Sequence, residues 1–114
     1  MLKVLREYSS VILSYRITKL EQVGHLFRLR AEIELIDHSR LFVRETVLAP
    51  KKRKYSYHWQ DNHGKLLLRW DNAPDWDIET FPHQKHLAEE RNVVPSYERT
   101  LEQVLAYISK QLKH

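Results

Sequence analysis

Apolar and polar residues alternate through the middle of the chain with the period of a β-strand. Phe27, Leu29, Ala31, Ile33 and Leu35 fall on one face, and Arg28, Arg30, Glu32 and Glu34 on the other. After a turn at Asp37-His38-Ser39 the alternation resumes through Leu41, Val43 and Val47, which predicts a hairpin. A three-residue loop sets Leu35 against Leu41 and Ile33 against Val43, with every apolar residue on one side. A slip of one residue would split them between faces. Upstream, the β-branched and aromatic run from Val11 to Thr18 opens a first strand that ends at Gly24, with room for a short helix over residues 2–8 ahead of it.

Beyond Pro50, Tyr55–Gln60 and Leu66–Trp70 flank Asp61-Asn62-His63-Gly64, a second hairpin with glycine where a positive φ is wanted. From Asp71 to Pro95 the chain holds three prolines and no sustained period, which predicts a long irregular segment. The last element is a helix. Thr100 and Gln103 form a capping box, and Leu101, Val104, Leu105, Ile108 and Leu112 make one apolar stripe. Neither the stripe nor a one-sided sheet can bury itself alone. The expected fold is α+β, an antiparallel meander of about five strands with the C-terminal amphipathic helix packed on one face. A chain of 114 residues fits one domain, taken as 1–114.

Composition narrows the chemistry. The absence of cysteine removes disulfides, zinc–thiolate sites and thiol nucleophiles, and fits a reducing cytoplasm. No apolar run approaches the ~18 residues of a membrane span, and no signal-peptide pattern opens the chain. Two glycines leave no place for a phosphate loop or a dinucleotide fingerprint. A net charge of +4 favours polyanionic partners such as RNA, or an acidic protein segment. Three Trp and six Tyr exceed the needs of a minimal core, which predicts some of them at a contact surface.

Candidate chemistry gathers between Tyr55 and His86. On the second hairpin Tyr55, Tyr57 and Trp59 share one face, and Lys54, Ser56, His58 and Gln60 share the other. With a two-residue turn Ser56 opposes Arg69 and His58 opposes Leu67, so His58 and Arg69 lie diagonally within reach. Asp71 follows on the same face, able to orient a histidine, hold an arginine or cap a turn. Asn72, ahead of Ala73-Pro74, reads as a turn former. Phe81-Pro82-His83-Gln84-Lys85-His86 adds two histidines for proton transfer and a lysine for phosphate. Metal ligation by His83 and His86 with His58 and Asp71 is the weaker reading, since no zinc-binding pattern accompanies them. Lys51-Lys52-Arg53-Lys54 is the densest basic run, either a solvated lead-in or a contact for a nucleic-acid backbone.

Taken together, Tyr55–Asp61, Gly64-Lys65-Leu66, Arg69–Pro74, Phe81–His86 and Val94-Pro95-Ser96 resemble the TumE family of small prokaryotic proteins, regarded as toxins of type II toxin–antitoxin systems. Two departures stand out. Asp75 and Trp76 follow Asn-Ala-Pro where the family often has histidine, and Gln84 replaces a second adjacent histidine, which shifts weight to His58, His83 and His86. The resemblance implies growth arrest relieved by an antitoxin, often a small helix-turn-helix protein. A metal-independent endoribonuclease without cofactor is the leading mechanism. His58 with His83 or His86 would serve as base and acid, Arg69 and Lys85 would face the developing charge, and Asp71 would support them. Lys51–Lys54 would hold the backbone, and Tyr57 or Trp76 would stack a base. A non-catalytic toxin that binds RNA, ribosome or protein, and a metal-dependent nuclease, are the alternatives.

Overall fold

The computed structural model describes residues 2–49, 52–72, 84–87, 93–95 and 100–112. The chain opens with helix α1 (Leu2–Glu7) and a 3-10 turn at Ser9–Val11. Strands β1 (Ile12–Val23), β2 (Leu26–Leu35), β3 (Arg40–Ala49), β4 (Lys52–Gln60) and β5 (Leu66–Asp71) follow, then two short strands, β6 (Gln84–Leu87) and β7 (Val93–Pro95). Helix α2 (Leu101–Leu112) comes last. Each strand pairs antiparallel with the next, so order in the sheet equals order in the chain. The expected α+β meander and terminal helix are present, and β6 and β7 extend the sheet into a segment whose lack of periodicity suggested no strand. Strands of four and three residues are too short for alternation to register.

Alternation decides which face is buried. Leu29, Ala31, Ile33 and Leu35 of β2, Leu41 and Val43 of β3, Tyr55, Tyr57 and Trp59 of β4, and Leu68 and Trp70 of β5 join one core cluster. Leu5 of α1 and Leu101, Val104, Leu105 and Ile108 of α2 complete it, so the α2 stripe covers this inner face. Tyr107 meets Trp59 and Trp70 edge-on, with ring centroids 6.5 and 5.7 Å apart. The capping box closes as expected: Gln103 N donates to Thr100 Oγ1 at 3.3 Å, and Thr100 N to Gln103 Oε1 at 3.0 Å.

Both hairpin registers differ from the expected ones by two residues, which preserves the faces and changes the neighbours. In the first, Ile33 pairs with Leu41 and Ala31 with Val43. His38 adopts φ 67°, and the loop closes one residue earlier, over 36–38, with Leu35 N donating to Ser39 O at 2.9 Å. Left-handed backbone is tolerated better by histidine than by most residues. In the second, Asp61 Oδ1 accepts from His63 N at 2.8 Å and Lys65 N at 2.9 Å, which widens the turn to end at Lys65. A bulge between Trp59 and Gln60 absorbs the difference. His58 therefore faces Arg69 directly, not Leu67.

Candidate functional site

The face turned away from α2 carries the polar residues that alternate with the core in β2, β3, β4 and β5. Its centre is a cross-strand row in which Glu32 pairs with Phe42, Phe42 with His58, His58 with Arg69, and Arg69 with His86. Adjacent strands lie ~4.8 Å apart, so the backbones of His58 and His86 stand about 10 Å apart with Arg69 between them. His58 is half-buried, with Phe42 packed edge-on at 6.0 Å between ring centroids. Its Nε2 lies 3.1 Å from Gln60 Oε1. An amide oxygen only accepts, so in this contact the ring is the donor, as its Nε2–H tautomer allows.

Arg69 is held from below. Asp71, two residues on and on the same face, is buried, and its Oδ2 lies 3.1 Å from Arg69 Nε. Holding an arginine, one of the roles the sequence allowed Asp71, is seen in this contact. Asn72 does more than form a turn. Its Oδ1 accepts from Tyr55 N at 2.9 Å and its Nδ2 donates to Arg53 O at 2.6 Å, so its side chain continues the β4–β5 ladder where β5 ends.

Two expected site residues are committed elsewhere. Tyr57 is fully buried on the inner face and cannot stack a base. Its hydroxyl accepts from Arg53 Nη2 at 2.7 Å and donates to Glu45. Burial, and then the Glu45 carboxylate, push this phenol well above its ordinary value, so it remains a donor. Arg53 turns the same way, 4.5 Å over the Tyr55 ring and 3.6 Å from Glu45, so it braces the core rather than meeting a solvent-side ligand. Lys54 is exposed on the outer face. The basic run is thus divided by alternation between two faces.

The remaining expectations sort by register. Lys85 pairs with Trp70, in the row alternate to that of His58, Arg69 and His86, and Lys52 begins β4 opposite Ala49. Lys51, Trp76 and His83 lie outside the described residues. Among the described residues, no group of three or more His, Cys, Asp or Glu side chains converges as a metal site would require.

Sequence reasoning passed over Phe42 and the arginines around it. Arg30 and Arg44 pair directly across β2 and β3, and Arg44 pairs with Ser56 beside His58. Alternation alone placed Arg28 and Arg30 on the polar side. Their approach to the histidine strand depends on register, which the pattern does not encode.

A model of the TumE toxin family matches residues 1–112 of the 114. The chain belongs to the TumE toxin family. Membership makes it the toxin of a toxin–antitoxin pair and implies an antitoxin partner. Searches of curated proteins and of solved structures returned no match. Among the described residues of this TumE chain, no helix is long and apolar enough to cross a membrane.

Proposed function

We propose that this TumE toxin is a metal-independent endoribonuclease acting at the His58–Arg69–His86 row. The observation that carries the reading is the register: a half-buried histidine directly opposite an arginine, itself in register with a second histidine. RNA brings its own nucleophile. One imidazole takes the proton of a ribose 2′-hydroxyl as its oxygen bonds to phosphorus. The other gives a proton to the departing 5′-oxygen as the phosphorus–oxygen bond breaks. The products are a 2′,3′-cyclic phosphate and a 5′-hydroxyl. Arg69, fixed by Asp71, meets the charge that develops on the phosphoryl oxygens. His58 is assigned the base and His86 the acid, with His83 the alternative acid.

Purified protein incubated with total RNA, with and without chelator, tests this. Cleavage that leaves cyclic phosphate ends and ignores chelator is the expected result. Loss of cleavage with chelator would move the mechanism to a metal. RNA bound yet left intact by active toxin would replace the nuclease with a binding toxin, a reading favoured by the exposed arginines beside the row. His58→Ala and His86→Ala are each expected to abolish growth arrest in cells. The antitoxin is proposed to be a small helix-turn-helix protein acting in the same cytoplasm, and an adjacent reading frame of that type would support this pairing.

A further inference from the structure

The outer face carries a conflict that the fold has no use for. Lys19, Arg30 and Arg44 occupy consecutive register positions on β1, β2 and β3. Like charges directly opposite each other in an antiparallel pair are destabilising. Carboxylates are close by, yet between described residues they pair as Arg16 with Glu32, His38 with Glu34, Arg53 with Glu45 and Arg69 with Asp71. Arg28, Arg30, Arg44 and Lys54 form no ion pair with any described residue, and all four are exposed. Unrelieved local repulsion of this kind gathers where a ligand supplies the missing charge.

The space around these side chains suits a chain-like ligand. Two adjoining open recesses, of about 760 and 310 Å³, share Arg30, Arg44, Ser56 and Arg69. Cations repeat ~5 Å apart across the strands, and ~7 Å apart along β2 from Arg28 to Arg30. Phe42 opens on the smaller recess together with His58. It is the aromatic ring lining these two recesses that lies beside both the Arg30–Arg44 pair and His58.

The geometry points to a single-stranded RNA track on the outer face. Arg28, Arg30, Arg44 and Lys54 take successive phosphates, and Phe42 stacks the base next to the phosphate delivered to His58. This rests on the reading of the chain as an RNA-acting toxin and supplies the substrate path for that site. Charge alone would also suit an acidic polypeptide. The aromatic ring among the cations favours a ligand that alternates phosphate with a flat base.

The test uses the full chain and a short, fully 2′-O-methylated RNA, which has no free 2′-hydroxyl and cannot be cleaved. Affinity is read by fluorescence anisotropy across a salt series, with inorganic polyphosphate and polyglutamate as competitors. Arg30→Thr and Arg44→Thr are each expected to weaken binding several-fold. Each phosphate contact removed should lower the salt slope by about 0.7. Phe42→Leu is expected to weaken RNA binding about tenfold while leaving polyphosphate competition unchanged. Because the threonines relieve a like-charge pair, both variants should melt no lower than the wild type. That result separates a ligand-binding role from a structural one. Wild-type affinity in the Arg30→Thr/Arg44→Thr double variant overturns the track. Polyglutamate competing as well as RNA overturns it in favour of an acidic protein partner. Binding that depends on Arg30 and Arg44, beside unmodified RNA left whole, keeps the track and removes the nuclease.

Discussion

The two faces of the sheet solve opposite problems with the same alternation. On the inner face even the polar atoms are consumed: the Tyr57 hydroxyl lies between Arg53 and Glu45, and Trp59 Nε1 donates to Ser39 Oγ at 2.9 Å. On the outer face Arg30 and Arg44 confront each other exposed and without an ion pair among the described residues. A face whose polar groups are all satisfied explains how the fold holds. A face with unmatched charge is where to look for what the fold is for.

The sharpest way to break this division is on the inner side. Trp59→Ala should lower unfolding free energy by about 3–5 kcal/mol, read from urea midpoints, because a large ring leaves a cavity between sheet and α2. An unchanged midpoint would mean that the inner face is not the core. On the outer side His58→Ala should cost about 10²–10⁴-fold in RNA cleavage while thermal melting stays put. A large fall in melting temperature would instead give His58 a structural role. Tyr57→Phe makes a smaller cut, about 1–2 kcal/mol of stability with no effect on RNA affinity. Lost affinity in that variant would restore Tyr57 to the binding surface.

The smallest effect concerns the turns. Backbone N–H groups of Lys65, then His63, hold the Asp61 carboxyl below its usual range, and the hydrogen bond to His38 does the same chiefly for Glu34. A carboxylate depressed in the folded state stabilises fully above its unfolded value, and this is lost as pH falls through its folded value. Melting temperature should therefore fall on acidification from the carboxylate range downward. Asp61→Asn should make that decline shallower, and an unchanged slope would remove Asp61 from the acid response.

Much of this was legible without coordinates, for a physical reason. Burial acts on every second residue of a strand, so selection writes the faces into the pattern, and Phe27–Leu35 and Tyr55–Trp59 displayed them. Register is different. A shift of two residues leaves each side chain on its own face, so the pattern cannot distinguish Leu35 opposite Leu41 from Ile33 opposite Leu41. The choice was made by the backbone of His38 and the carboxylate of Asp61, local devices at the loops. Where the structure moves a candidate residue, the cause is that gap or the parity of the faces. The chemistry of Tyr57 suits a stacked base, yet its parity with Trp59 already places it inside. Phe42 and Arg44 went unnoticed because only register brings them beside His58.

Strand order that matches chain order also governs how the molecule comes into being. Each strand emerging from the ribosome finds its neighbour already made, so pairing proceeds without waiting for distant sequence. Beyond what α1 covers through Leu5, the apolar side of that growing sheet stays wet until α2, which follows the described strands, arrives. Closure of this core is therefore tied to the twelve-residue α2. A chain cut short before Leu101 would present tyrosines and tryptophans to water and be a substrate for chaperones and proteases before it could harm the cell.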